Sequence, residues 1–263
     1  MKPVEMKISP PRPRCRNKSL SVRLVSAALS LLILSAASAA YAQQRFSKTY
    51  PARKNISIHL SNWSGAITVE GWDKSQIKIT ADMEAPAARI TPQINSDGLA
   101  IDVVRDNQGR PDVGSVNFKI FVPYESSVDI ETRIGDLSVN NVQGSMVRAH
   151  VTSEGNISLT QIHSPLVMAG NVTGDILFDG ELLSGGVYTL QTTGGNINIR
   201  IPENSAFRLV ASAPMTQDIA LGPFSTSGLS FIGGKRRVVG NVGDANASLS
   251  VVNQRGSISF IRR

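Results

Sequence analysis

Apolar residues alternate with polar ones in many short stretches of this chain. Successive side chains of a β-strand point to opposite faces, so this period of two predicts half-buried strands. Glycine, asparagine and aspartate separate the stretches, as turn residues do. No stretch has the 3.6-residue period of an amphipathic helix, and we therefore expect an all-β fold. The clearest alternating sets are Ile56, Ile58 and Leu60; Ile67 and Val69; Ile77 and Ile79; Val116, Phe118, Ile120 and Val122; Val128 and Ile130.

Two local patterns subdivide the first half of the chain. Residues 90–94 and 99–104 flank the turn sequence Asn95-Ser96-Asp97-Gly98 and predict a β-hairpin. Residues 107–112, with the sequence NQGRPD, predict a surface loop and an internal boundary.

A short unit recurs along the chain: glycine, a small or polar residue, Ile or Leu, any residue, and an apolar residue. The middle four copies are spaced 20, 19 and 21 residues apart, and the outer two lie 70 and 61 residues away. A regular period of this length is typical of stacked repeats. The copies begin at Gly65, Gly135, Gly155, Gly174, Gly195 and Gly256.

The repeat predicts a β-solenoid built from coils of about 20 residues. Each coil contributes short strands, its glycine makes a tight turn, and the Asp or Asn that follows bonds nearby backbone groups. We expect a cap with irregular coils over residues 43–115, regular repeats over 116–204 and C-terminal coils over 205–263. The alternative is an antiparallel β-sandwich or barrel, which also contains many short strands.

These repeats carry a resemblance to a known family. Residues 152–157 (TSEGNI) and 192–197 (TTGGNI) are similar to the T-x-S-G-D-I coils of the bacterial "putative adhesin" family, a β-solenoid domain of unknown function. Residues 65–73 (GAITVEGWD) resemble the opening element of those domains, and residues 199–202 (IRIP) resemble the strand and proline that follow a coil. The resemblance covers residues 55–263 and implies a β-solenoid with an adhesive role. The chain departs from the family pattern at Ala66, Asn156, Asn196 and Ser257, where the family has a polar residue or Asp.

The N-terminal segment has the composition of an export signal. The chain of 263 residues has a net charge of +7, of which residues 1–42 carry +6 and residues 43–263 only +1. A basic stretch, the apolar residues 24–36 and the motif Ala40-Tyr41-Ala42 before Gln43 predict a secretory signal peptide at residues 1–42, cleaved after Ala42. An uncleaved N-terminal anchor is the alternative. The single cysteine, Cys15, lies in this segment, so the mature chain would contain no disulfide.

Few residues suggest catalysis or metal binding. His59, His150 and His163 lack the spacing of a metal site. Asp136 and Asp175 occupy equivalent repeat positions two coils apart, about 10 Å, which is too far for the two alone to form a calcium site. We therefore predict no metal, no cofactor and no catalytic residue.

One pair of carboxylates supports an enzymatic alternative. Asp129 and Glu131 point to the same side of a strand at a spacing of roughly 6.7 Å. This spacing suits an inverting glycosidase. Alternating charges are also the ordinary solvent-exposed face of a strand.

Aromatic and basic residues suggest surfaces for binding. Trp63 and Trp72 flank the first repeat and could stack on sugar rings, or could cap the end of the core. The clusters 235–237 (KRR) and Arg262-Arg263 could contact phosphates, or could be solvated charges that prevent edge pairing.

The leading hypothesis is an exported, non-catalytic β-solenoid, located in the periplasm or outside the cell, that contacts the cell envelope. Its expected partner is an envelope polysaccharide or an envelope protein. Neither nucleic acid nor stable membrane insertion after cleavage is expected, because the mature chain is nearly neutral and has lost its apolar leader. The alternatives are a polysaccharide hydrolase or lyase, and a periplasmic scaffold or sensing partner of a membrane protein. The sequence leaves the ligand-binding residues and the oligomeric state open.

Overall fold

The computed structural model describes residues 44–95, 98–110 and 112–263. The predicted leader, with Ala40, Ala42 and Gln43 at its processing site, lies outside the described residues. Residues 43–263 form one compact unit. Within the described part of the chain, no helix is long and apolar enough to cross a membrane.

Short β-strands dominate these residues, which confirms the all-β prediction. The strands are β1 Gln44–Pro51, β2 Ser57–Ser64, β3 Ile67–Trp72, β4 Gln76–Met83, β5 Gln93–Ile94, β6 Gly98–Asp102, β7 Val116–Pro123, β8 Ser127–Ile134, β9 Leu137–Asn140, β10 Met146–Glu154, β11 Ile157–Ile162, β12 Leu166–Thr173, β13 Ile176–Gly180, β14 Val187–Gly194, β15 Ile197–Arg200, β16 Phe207–Ser212, β17 Ile219–Ala220, β18 Gly228–Ile232, β19 Arg237–Val242, β20 Ala247–Arg255 and β21 Ile258–Ile261. Two short helical turns complete the described elements: α1 Val103–Asp106 and a 3-10 helix Gly222–Phe224.

The strands form two mixed sheets. Sheet A has the order β1-β4-β7-β3-β9-β11-β13-β15-β21-β17, and sheet B has the order β18-β19-β16-β20-β14-β12-β10-β8-β2-β6-β5. Among the described strands neither sheet closes on itself, so the structure is not a barrel.

Consecutive strands from β8 to β15 alternate between the two sheets. Each pairs in parallel with the strand two positions earlier or later: β10 lies between β8 and β12, and β11 lies between β9 and β13. The outer repeats join the same ladder despite their distance in sequence, because Leu137 pairs with Ile67 and Ile197 pairs with Ile258. The long spacings therefore correspond to inserted segments, β4–β7 on one side and β16–β19 on the other.

One hydrophobic core fills the space between the sheets. The predicted alternating residues from Ile58 to Ile130 are its inward-facing members, whereas Ile56 is half-buried. Phe178 of sheet A lies 5.8 Å from Tyr188 of sheet B between ring centroids. Two sheets facing one core agree with the two-layer arrangement of the sandwich alternative. The sandwich alternative also predicted antiparallel strand pairs. This prediction is wrong for the centre of both sheets, where the strands pair in parallel. Antiparallel pairs occur towards the ends of the sheets.

The repeat glycines form a column along one edge of the stack. All six have positive φ, from +115° at Gly65 to +153° at Gly155. A Cβ atom on any of the last five would collide with the carbonyl oxygen of the preceding glycine in the column. Only glycine allows both this backbone conformation and this close approach.

The residues after the glycines form a second column. The side-chain oxygen of Asp136 accepts from the backbone N–H of Asn156 at 2.7 Å, Asn156 accepts in turn from Asp175 at 2.9 Å, and Asp175 accepts from Asn196 at 2.7 Å. The prediction that these residues bond backbone groups is confirmed, but the groups belong to the next copy rather than to the same turn. Asn serves as well as Asp because both offer the required oxygen.

Buried polar residues hold the glycine turns from inside. The Nδ2 of Asn171 donates to the carbonyl of Gly155, and the Nδ2 of Asn253 donates to that of Gly195, both at 2.9 Å. The predicted equivalence of Thr152 with Thr192 is wrong. A bulge in β10 leaves Thr152 exposed and places Val151 in register with the buried position.

The first insertion differs in part from the prediction. β5 and β6 form the expected hairpin, but residues 103 and 104 belong to α1, not to its second strand. The Asp102 carboxylate accepts from the Arg105 N–H at 2.9 Å and caps this turn. Asn107 is also not a surface residue. It is buried, and its amide exchanges two hydrogen bonds with the backbone of Arg89.

The glycine column predicts a position-specific stability effect. Gly195→Ala should lower the free energy of unfolding by about 2–5 kcal/mol, because it adds both backbone strain and a steric collision. Gly185→Ala is the matched control. Gly185 also has positive φ, +75°, but no atom lies within 4 Å of the added methyl. Urea unfolding of both variants checks the difference, and equal losses would contradict a role for close stacking.

Candidate functional site: polar surfaces of the two sheets

A charged cluster lies on the outer face of sheet B. We call His59, Asp129, Glu131, Arg148 and His150 the sheet B cluster. Parallel register brings them together from three strands: Asp129 lies between His59 and Arg148, and Glu131 lies beside His150. The sequence predicted that Asp129 and Glu131 share a face, and the structure confirms it, since Val128 before Asp129 and Ile130 between the two carboxylates are buried.

Arg148 binds both carboxylates of this cluster. Its Nη1 lies 2.7 Å from Asp129 Oδ1 and its Nη2 lies 3.3 Å from Glu131 Oε2. His59 Nδ1 lies 3.3 Å from Asp129 Oδ2 on the other side. The hydrogen bond to Asp129 is the main cause that raises the pKa of Arg148, against a smaller opposing effect of burial. Asp129 and Glu131 therefore share one guanidinium as their common partner.

The two tryptophans lie on different sheets. Trp63 follows buried Asn62 on the outer side of β2, where the Arg133 guanidinium lies 4.7 Å from its ring centroid. Trp72 ends β3 on the outer side of sheet A and stacks on Phe121, with 5.1 Å between ring centroids. Both are half-buried on strands inside the sheet order, so the interpretation of the tryptophans as caps of the core is wrong.

A polar pocket of 470 Å³ lies where strands of sheet A end, and we call it the strand-end pocket. It is open to solvent and is lined by Asn141, Gln143, Gln161, Ile162, His163, Glu181 and Arg263. Of these residues, only His163, as a possible metal ligand, and Arg263, as part of a basic cluster, were named from the sequence. Asn141, directly after β9, and Gln161, the penultimate residue of β11, have φ of +57° and +55°. Polar residues at the ends of strands were the available signal.

Carboxylates contact arginine and histidine side chains in and beside the strand-end pocket. Glu181 lies 3.1 Å from His163 Nδ1 and 3.6 Å from Arg263 Nη1. Asp179 is held between Arg263 at 3.1 Å and Arg200 at 3.5 Å. Arg262 pairs with Glu203 at 2.6 Å. The Arg262-Arg263 cluster is therefore engaged with carboxylates rather than simply solvated.

A buried tyrosine fixes the segment that carries Glu181. The Tyr188 hydroxyl accepts from the Leu183 N–H at 2.7 Å and lies 3.1 Å from the carbonyl of Ser164 and 3.2 Å from that of Glu181. Burial raises the pKa of this hydroxyl, and the hydrogen bond from Leu183 partly offsets the rise.

Trp72 is a near neighbour of the strand-end pocket. The Tyr124 N–H donates to the Trp72 carbonyl at 3.1 Å, and the Gln143 N–H donates to the Tyr124 carbonyl at 2.7 Å. The chain around Tyr124 thus links the Trp72–Phe121 stack to a residue that lines the pocket. An aromatic surface and a set of hydrogen-bonding side chains therefore lie at the same end of sheet A.

The remaining residues considered as candidate metal ligands do not come together in one site. Asp136 and Asp175 belong to the hydrogen-bonded column described above, and His59 and His163 lie in separate clusters. Within residues 44–95, 98–110 and 112–263, no group of three or more His, Cys, Asp or Glu side chains is arranged to hold a metal ion.

The shared cation of the sheet B cluster predicts a salt-dependent stability effect. Arg148→Gln should lower the free energy of unfolding by about 1 kcal/mol at low salt, because Asp129 and Glu131 lose their common partner. The loss should shrink at high salt, where charges are screened. The control is Arg208→Gln, an exposed arginine on the same sheet. Urea unfolding at both salt concentrations measures the effect, and a salt-independent loss would contradict it.

Tyr188 predicts a difference in alkaline stability. Its pKa is raised in the folded chain, so its contribution is complete below pH ~10 and is lost as the pH rises through the folded value. Tyr188→Phe should be less stable at neutral pH by about 1–2 kcal/mol, through lost hydrogen bonds, and should lose less stability above pH 10. Unfolding curves from pH 7 to 11 test this, and parallel profiles would refute it.

Comparison with known proteins places the fold. No protein-family model matches the sequence, and no curated protein matches it. A "putative cell adhesion protein" from Clostridium sporogenes has a similar structure, with a TM-score of 0.51 and 12% identity, over 84% of this chain and 100% of that one. A "putative adhesin" from Bacteroides fragilis has a TM-score of 0.36 and 9% identity, over 84% and 97% of the two chains. A third, from Parabacteroides distasonis, has a TM-score of 0.27 and 10% identity, over 84% and 98%.

The similarity to the Clostridium sporogenes structure, at 12% identity, shows the fold. The resemblance to bacterial "putative adhesin" domains, recognised in the glycine repeats, is confirmed at the level of the fold, which this chain shares with a protein described as a "putative cell adhesion protein".

Proposed function

We propose that this chain is an exported, non-catalytic, adhesion-like protein that binds an envelope polysaccharide at the end of sheet A. The proposal combines the chemistry of the strand-end pocket, the ion pairing of the sheet B cluster and the predicted leader at residues 1–42. The likeness to a protein described as a "putative cell adhesion protein" supports it.

The proposed architecture is a β-solenoid with irregular ends. Support comes from strands that alternate between two sheets, stack in parallel and repeat the glycine and Asp/Asn columns at every turn. We keep the proposed division into residues 43–115, 116–204 and 205–263. The antiparallel strands lie largely in the first and last of these segments, as expected for ends that cover a stack.

The observation that carries the proposed function is the Trp72–Phe121 stack beside the strand-end pocket. Sugar rings combine an apolar face, which packs on aromatic rings, with hydroxyl groups that need donors and acceptors. The amides of Asn141, Gln143 and Gln161 can act as both. Glu181 adds acceptors and Arg263 adds donors. The pocket is open, which suits an internal stretch of a long polymer.

The non-catalytic part of the proposal rests on Arg148. The Asp129–Glu131 pair was the best catalytic candidate, and both members are engaged with the same guanidinium. Glu181 faces His163 and Arg263 in the strand-end pocket, so this carboxylate is also paired. Neither arrangement leaves a free acid and a free base facing each other, which hydrolysis of a glycoside requires.

The experiment is co-sedimentation of residues 43–263 with insoluble envelope polysaccharides and envelope fractions. We expect saturable retention on one polymer. Trp72→Ala should weaken it about tenfold, a loss of ~1.4 kcal/mol, because the stacking surface is removed. Trp63→Ala is the matched control, since this tryptophan lies on sheet B and should leave retention unchanged.

Each outcome separates the possibilities. Equal retention of both variants would contradict the Trp72 site. Absence of retention on every polymer would reject the polysaccharide and favour an envelope protein as the partner. Release of soluble sugar by the wild-type chain would reject the non-catalytic assignment. N-terminal sequencing of the exported protein tests the leader, and a first residue other than Gln43 would contradict the proposed cleavage site.

A further inference from the structure

The hairpin of β18 and β19 forms the outermost part of sheet B and has an unusual surface. Phe231 and Ile232, just before its turn, are 45% and 50% exposed. Met215, which follows β16, is 64% exposed. β16 pairs with β19 up to Ser212 and Arg237, and the Ala213 N–H donates to the Arg236 carbonyl at 2.8 Å, so the segment that carries Met215 leaves the sheet at the hairpin turn.

The same turn carries a positive charge without compensation. Residues 228–242 contain Lys235, Arg236 and Arg237 and no acidic residue. All three cations are exposed. None takes part in any ion pair found within the described part of the chain, in contrast to Arg262 and Arg263.

Apolar side chains lie on both faces of the hairpin near its turn. Phe231 pairs with buried Val238 and so continues the inner face of sheet B, whereas Ile232 pairs with Arg237 on the outer face. The turn residues Gly233 and Gly234 have open space around them. The end of the hairpin therefore has an apolar residue on each face, with two cations in its turn and a third at the start of β19.

We propose that this hairpin end inserts into the surface of a bilayer that contains anionic phospholipid. Phe231, Ile232 and Met215 would bury in the interfacial region, and Lys235, Arg236 and Arg237 would lie at the level of the lipid phosphates. Apolar side chains combined with juxtaposed cations are the pattern of reversible interfacial binding. This surface shares no residue with the strand-end pocket, so the chain could contact a membrane and a polymer independently.

The test is flotation of residues 43–263, the compact unit without its basic leader, with vesicles of phosphatidylglycerol and phosphatidylethanolamine. The wild-type chain should float with these vesicles and not with pure phosphatidylcholine. Lys235→Gln/Arg236→Gln/Arg237→Gln should weaken binding roughly 100-fold, at about fivefold for each cation. Phe231→Ser/Ile232→Ser should also abolish flotation, whereas Phe231→Trp should retain it.

Matched controls remove the same chemistry elsewhere. Lys48→Gln/Arg53→Gln/Lys54→Gln removes three exposed cations, and Ile94→Ser removes an apolar side chain that is 52% exposed on β5, at the opposite end of sheet B. Both should float like the wild type, and circular dichroism melting should show that every variant is folded. Wild-type protein that does not float with anionic vesicles would overturn the proposal. Flotation that the control variants reduce as much as the hairpin variants would overturn it too.

Discussion

The close approach of backbones at the glycine column is the constraint on which the rest of this structure depends. Each copy of the repeat must bring its turn against the carbonyl of the copy below, and a side chain at Gly135, Gly155, Gly174 or Gly195 would separate the two. Neighbouring polar groups make the approach stable. Asn171 satisfies the carbonyl of Gly155 from inside, and the Asp and Asn column satisfies backbone N–H groups from outside.

The glycine column aligns the turns and so sets the register between neighbouring strands. This register decides which outward side chains become neighbours on the surface of each sheet. Once the turns are aligned, outward residues of neighbouring strands lie side by side, about 4.8 Å apart. Asp129 and Arg148 meet in this way from adjacent strands of sheet B. Glu181 and Arg263 also meet at the end of sheet A, although they are far apart in the sequence. The polar groups of both surfaces are therefore brought together by strand pairing, since each surface combines residues from several strands.

The inserted segments change the character of the molecule at its ends. The middle strands pair in parallel, and several of their outward charged residues are ion-paired with a neighbour, as Asp129 is with Arg148. The hairpin of β18 and β19 pairs antiparallel, lies at the edge of sheet B and exposes apolar groups beside three exposed cations. The two proposed contacts, a polymer at the end of sheet A and a lipid surface at this hairpin, thus use different parts of the fold.

The sequence by itself determined the all-β class, the inward residues such as Ile67, Val69 and Ile130, and the positions of the glycine turns. These features depend on the spacing of apolar residues along a strand and on the conformational freedom of glycine, and both can be recognised in the sequence. Only the tertiary structure decided that Val151 replaces Thr152 at the buried position, that Trp63 and Trp72 lie on different sheets, and that Arg148 is shared by two carboxylates. The strand-end pocket could not be predicted either. These features depend on lateral register between segments joined by insertions, and alternation along one strand carries no information about its neighbour.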